Sequence, residues 1–182
     1  MIFFIIMEVY MSKYEIENVK LTAPKLDRND LEYAMTYRYA CKKFDSTKKI
    51  SEEDWNAILR AARLAPTSLG FEPFELLVIQ NPEIREKMKA HGWGIHAGLE
   101  ASHFVVFLTR KKVDLEFDSP YVRYIQEEVK QLPAEVDAIY KEKYAQFTTS
   151  DYKTFESERA AFDWASKQAY IVMANMMTMA AY

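Results

Sequence analysis

The chain has 182 residues, the length of one compact domain, and its 49% hydrophobic and 28% charged residues are close to the globular average. Its 11 Phe, 12 Tyr and 3 Trp supply enough aromatic area for a substantial core, which excludes general disorder. With 24 basic against 27 acidic side chains the net charge is −3, without the basic footprint of a phosphate-backbone binder, and this argues against a nucleic-acid partner. One cysteine makes no internal disulfide and suits a reducing compartment, so the cytoplasm is the expected location.

Only four glycines occur, Gly70, Gly92, Gly94 and Gly98, and their spacing builds neither a phosphate loop nor a dinucleotide fingerprint. Residues 1–10, MIFFIIMEVY, lack a basic flank and a small-residue cleavage site and are too short to span a bilayer. They read as a spurious or disordered extension, with the start of translation at Met7 or Met11, ahead of a single domain over 11–182.

From Asp30, Leu31, Ala34 and Met35 sit at helical spacing before the polar run Arg38 to Lys43. Ser51 and Asp54 resemble a capping box opening a helix whose face is Trp55, Ile58, Leu59 and Ala62, and Pro66 stops it. Phe74–Ile79 and Phe104–Leu108 are apolar runs of the kind found in strands buried on both faces, with a helix opened by Pro82 between them. The stretch 110–118, RKKVDLEFD, reads as a solvated loop. Val122, Ile125, Val129 and Leu132 form one helical stripe, and Val136, Ile139 and Tyr140 a second, with Pro120 and Pro133 near their starts. Residues 155–182 read as one long helix, apolar on nearly every side in its last turns, which calls for burial or a subunit interface. Lys167, Gln168 and Asn175 interrupt it, so it is not read as a membrane span. The order helix, strand, helix, strand favours an α/β or α+β sandwich of layers over a helical bundle.

His91, His96 and His103 have no i, i+4 pairing and no HExxH, so no metal is expected. Cys41 lies among Arg38, Lys42 and Lys43, cations that would lower a thiol pKa; the setting leaves open a nucleophile or an incidental cysteine. Two polar loops remain. Arg38 to Asp45 offers a guanidinium fork and a lysine close by, and Ala65 to Phe74 offers two hydroxyls, a glycine and two prolines ahead of a strand.

In this order and spacing the two loops resemble those of the FMN-dependent nitroreductase family, whose motifs run R-[HYR]-S-x-[KR]-x-[FY] and A-P-[ST]-[ST]-x-[NG]-x-[QE]-P-[WF]. Ala101-Ser102-His103 before FVVF and Trp164 to Gln168 on the long helix match further family segments, so the resemblance covers roughly residues 30 to 182. It implies the family's α+β layered sandwich, a central sheet flanked by helices, dimeric through the long apolar helix. It also implies that Arg38 and the Tyr39–Ala40 backbone hold the FMN phosphate and ribityl end, with Lys42 beside the flavin pyrimidine. Pro66, Thr67, Ser68, Gly70 and Gln168 would then come from the other subunit of a homodimer. Catalysis would be borne by the cofactor: hydride passes from NADH or NADPH through flavin to a nitroaromatic, quinone or similar small-molecule acceptor.

Ala40 replaces the motif's serine, Gly70 and Glu72 stand where Asn and Gln are frequent, and Gly94 and Ala97 stand where Asn and Lys are frequent. The family also continues beyond the long helix with a further strand and a basic tail, so this sequence reads as truncated at its C-terminus. The rival reading is a flavin-free remnant acting as an interaction protein.

Overall fold

The structure, a computed structural model, describes residues 27–182. The expectation for residues 1–10 therefore lies outside the described residues. The chain divides into two units, one ending at Tyr33, whose described part is the start of helix α1 (Arg28–Tyr37), and one covering Ala34–Tyr182, to which everything below refers.

Helix α2 (Glu52–Arg63) starts where its cap dictates: Ser51 Oγ accepts from the Asp54 N–H and also bonds the Asp54 carboxylate. Three acidic residues in the first turn and Arg60 and Arg63 in the last suit the helix dipole. Strand β1 (Phe74–Ile79) follows, then α3 (Pro82–Met88), with Pro82 in its first turn and Asn81 as cap. Strand β2 (Phe104–Thr109) pairs antiparallel with β1, from Phe74 opposite Thr109 to Ile79 opposite Phe104. The strands are half-buried rather than covered on both faces, because Leu77 and Leu108 point outward. An isolated two-stranded ribbon is marginal. This one is held by helices: Phe74, Leu76 and Phe107 pack on Ile58, Ala62, Val172 and Met176.

The 110–118 stretch is not a solvated loop. It contains α4 (Lys112–Leu115), Leu115 is fully buried, and Arg110 pairs with Glu75 while lying 3.6 Å from the centre of the Tyr121 ring. The apolar positions Leu115 and Phe117 were masked by the charges between them. Helix α5 (Pro120–Tyr124) runs into a wide π-turn over Ile125–Val129, and α6 (Ala134–Gln146) into another over Phe147–Asp151. The first π-turn breaks the expected stripe. Val122 and Ile125 are buried, but the extra residue per turn swings Val129 outward and carries Gln126 into the interior. In α6 Ile139 is exposed, and Tyr144 is buried instead.

Helix α7 (Glu158–Ala181), capped by Ser157, spans the whole unit. Its Trp164 and Ala165 belong to one core with Phe71, Leu115, Val122, Ile125 and Tyr144. Its Val172 and Met176 belong to the other, with α2 and the sheet. The polar Gln168 lies buried between them.

Candidate functional site

The first predicted loop leaves α1 at Tyr37 and runs in irregular conformation, so its direction is set by a few side-chain anchors. Arg38 is the main one. Its Nη1 donates to Thr178 Oγ1 at 3.0 Å, near the end of α7, while its buried Nε has no partner among the described residues. A guanidinium with a donor left over in the interior is ready to donate to an anionic oxygen. Tyr39, Ala40 and Lys42 are exposed. Cys41 Sγ lies 3.0 Å from the Lys43 carbonyl. The loop walls an apolar cavity of about 550 Å³ whose other sides include Trp55, His103, Phe107, Met176 and Met177.

His103 is fixed in that cavity by two contacts, one of them anchored in turn. It stacks on Trp55 with ring centres 4.2 Å apart, its Nδ1 lies 3.0 Å from Ser102 Oγ, and Ser102 Oγ accepts from the Ile50 N–H. Burial first, then the charges of Arg85 and Lys49, hold its pKa below the ordinary imidazole value. The Ser102 hydroxyl thus links the Ile50 N–H to the His103 ring. Behind it, the Arg85 guanidinium donates to the carbonyls of Ile79, Leu99, Ala101 and Ser102 and to the Gln80 side chain, fastening the segment that precedes β2 to the end of β1.

The second loop leaves α2 at Leu64 and makes a tight turn over Ser68–Gly70. Gly70 has φ +60°, a left-handed conformation that glycine takes freely. The Ser68 N–H donates to Gln168 Oε1 at 2.8 Å, so two residues one hundred positions apart, both read as belonging to the same side of a site, meet in the structure. Gln168 is fixed in turn, its Nε2 donating to the Trp164 carbonyl. Pro66 is exposed, and Thr67 and Gly70 are half-buried.

The structure thus gathers the predicted residues into two sets, one near the C-terminal end of α7 and one at its middle. Arg38 is anchored at Thr178 and Ser68 at Gln168, ten residues or about 15 Å apart along the axis. Sequence reasoning missed Thr178, which anchors the first loop, and Tyr121 and Lys130, which bond the second. None had a signal, since each acts on a residue far away in the chain. Among the described residues no group of three or more His, Cys, Asp or Glu could hold a metal, and no helix is long and apolar enough to cross a membrane.

The family model described as the nitroreductase family matches residues 35–182. A Bacillus subtilis protein named "Putative NAD(P)H nitroreductase YfkO" is 46% identical over 149 residues, covering 81% of this chain and 67% of that protein. The chain spans about two thirds of the length of the curated relatives it matches. Among solved structures, that of the B. subtilis nitroreductase homologue ydfN superimposes with a TM-score of 0.67 at 18% identity, over 85% of this chain and 72% of that one. A Staphylococcus epidermidis structure described as "a putative NAD(P)H:FMN oxidoreductase" gives 0.62 at 19% identity, over 85% and 70%. The fold is the nitroreductase α+β fold, and the chain belongs to the nitroreductase family.

Proposed function

We propose that this chain is a cytoplasmic FMN-dependent oxidoreductase that takes hydride from NADH or NADPH and delivers it to a nitroaromatic, quinone or similar acceptor. The observation that carries the reading is the division of the candidate residues into two sets about 15 Å apart on one helix, which suits a cofactor bound between two copies. The partner copy would dock on α7. Phe162, Ser166, Tyr170, Met173 and Met177 fall within an ~80° arc of that helix, on a face separate from the one that packs the cores, and Phe162, Tyr170 and Met177 are exposed. A second apolar stripe of this width is what a homodimer interface requires.

The residues present fit FMN. Arg38, with its unpartnered buried Nε, would take the phosphate, assisted by the Tyr39 and Ala40 backbone. Lys42, exposed at the end of the same loop, would set a cation beside the flavin pyrimidine and so favour the charge that arrives on reduction. Pro66, Thr67, Ser68, Gly70 and Gln168 of the partner copy would supply the opposite wall. When bound, FMN supplies the hydride chemistry, and the chain's part is to orient it, exclude water and tune its charge.

FMN titration of the purified chain, followed by fluorescence, tests the reading. Arg38→Ala should weaken binding about 10- to 150-fold, the equivalent of losing about 1.5 to 3 kcal/mol of charged hydrogen bonding. Anaerobic NADH or NADPH should bleach the bound flavin, and a quinone or nitroaromatic should restore its colour. A colourless monomer with unchanged affinity in Arg38→Ala would refute the assignment in favour of a flavin-free interaction protein.

A further inference from the structure

The turn at Ser68 is strained, and the strain is held from outside. Leu69, Gly70 and Glu72 have φ of +59°, +60° and +48°. Glycine adopts this region freely, but for leucine and glutamate it costs roughly 1–2 kcal/mol each. Such backbone persists only where its surroundings over-determine it. Here side chains from separate elements grip successive residues. Gln168 takes the Ser68 N–H, Lys130 Nζ donates to the Leu69 carbonyl at 2.7 Å, and the Tyr121 hydroxyl lies 2.8 and 2.6 Å from the Phe71 and Glu72 carbonyls. Arg63 pairs with the Glu72 carboxylate.

Lys130 is the most telling of these. It closes the Ile125–Val129 π-turn, and its ammonium lies 4.6 Å from the centre of the Phe71 ring and 4.9 Å from that of Tyr140. Its Cε would stand 3.5 Å from a Cβ at Gly70. Burial alone pulls its pKa down to about 8, so the charge is held in the interior at a cost that an apolar side chain would avoid. A position that needed only packing would favour methionine.

We propose that Lys130 and Tyr121 are positioning residues of the cofactor half-site: by gripping the Leu69, Phe71 and Glu72 carbonyls they fix the one turn conformation that presents Thr67, Ser68 and Gln168 to the flavin. The inference rests on the FMN reading above. Neither residue is assigned a role in the chemistry; each acts through the backbone of the turn.

Lys130→Met and Tyr121→Phe in the full chain separate positioning from stability. Lys130→Met removes a buried charge and the clamp on the Leu69 carbonyl together, which oppose each other in the melting temperature of the flavin-free protein, so the reading is FMN affinity, which should fall at least fivefold. Tyr121→Phe should weaken FMN in the same direction. At saturating FMN the visible circular dichroism of the bound flavin should change in both, while the far-ultraviolet spectrum stays that of the wild type. FMN affinity within twofold of wild type in both variants, or unaltered visible dichroism in both, overturns the inference while leaving the FMN reading standing. Should Lys130→Met fail to fold, Tyr121→Phe alone decides: weakened FMN supports the inference, and wild-type affinity overturns it. Wild-type protein that takes up no FMN overturns this inference together with the reading beneath it.

Discussion

Replacing Arg85 by methionine should lower the melting temperature by about 6–12 °C. The guanidinium donates to Ile79 O at 2.7 Å, Leu99 O at 3.0 Å, Ala101 O at 2.7 Å, Gln80 Oε1 at 2.9 Å and Ser102 O at 3.3 Å, four of them main-chain carbonyls. A hydrogen bond to a charged group contributes about 1.5–3 kcal/mol net. These five share one side chain and do not add independently, so a loss worth one to two of them, about 3 kcal/mol, is the expectation. At about 2–4 °C per kcal/mol for a domain of this size, that gives the stated range. Methionine keeps most of the aliphatic stem, so the loss reports the fork rather than packing. The control is Lys89→Met, whose ion pair with Glu86 is exposed and should contribute no more than about 1 kcal/mol. Thermal melts followed by circular dichroism compare the two. If Arg85→Met melts within about 2 °C of wild type, on the scale of that surface pair, the fork does not hold the Leu99–Ser102 segment and the reasoning fails.

Two further predictions use the same protein. The folded-state pKa of His103 lies below its ordinary value, so the unfolded chain takes up the proton first: its contribution to stability is full above about pH 6.5 and is lost as pH falls below that. His103→Phe keeps a ring against Trp55 but cannot titrate, so wild type should lose more melting temperature than the variant between about pH 7.5 and 5.5, and equal losses would refute this. Tyr170→Glu places a charge in the middle of the outward stripe of α7 without touching either core, so, on the proposed homodimer, helix content should stay constant while the mass by light scattering falls from that of a dimer to that of a monomer. A persistent dimer would move the interface elsewhere.

The sequence carried those parts of the fold that are decided locally. Ser51, Pro82 and Pro120 each mark a helix start in the structure, because a cap or first-turn proline acts within three residues of itself. Both strands stood out as short apolar runs. What escaped was non-local. No feature of the 120–132 stretch announces the π-turn that carries Gln126 inward, and a 3.6-residue period is blind to one extra residue per turn. In 110–118 the charges hid Leu115 because Arg110 turns to the Glu75 carboxylate and the Tyr121 ring, contacts absent from the local pattern. The candidate site divides in the same way. Arg38, Ser68 and Gln168 were legible as motif residues, whereas Thr178, Tyr121 and Lys130 entered only through the tertiary contacts that hold those motifs.

Helix α7 ties these observations together. One rigid element threads both cores, anchors Arg38 near its C-terminal end, seats the Ser68 turn ten residues earlier and turns an apolar stripe outward. Two sets about 15 Å apart on such a helix cannot approach each other without dismantling the packing of Trp164, Ala165, Val172 and Met176. On the proposed function, then, a site that uses both sets is completed by a second copy rather than by movement within one. Cofactor binding and association become one linked equilibrium, in which each strengthens the other by the same factor. The strained Ser68–Glu72 turn acquires a physical purpose in that setting. Side chains of the same copy keep it fixed before the partner arrives, so little ordering remains to oppose binding when the two surfaces meet.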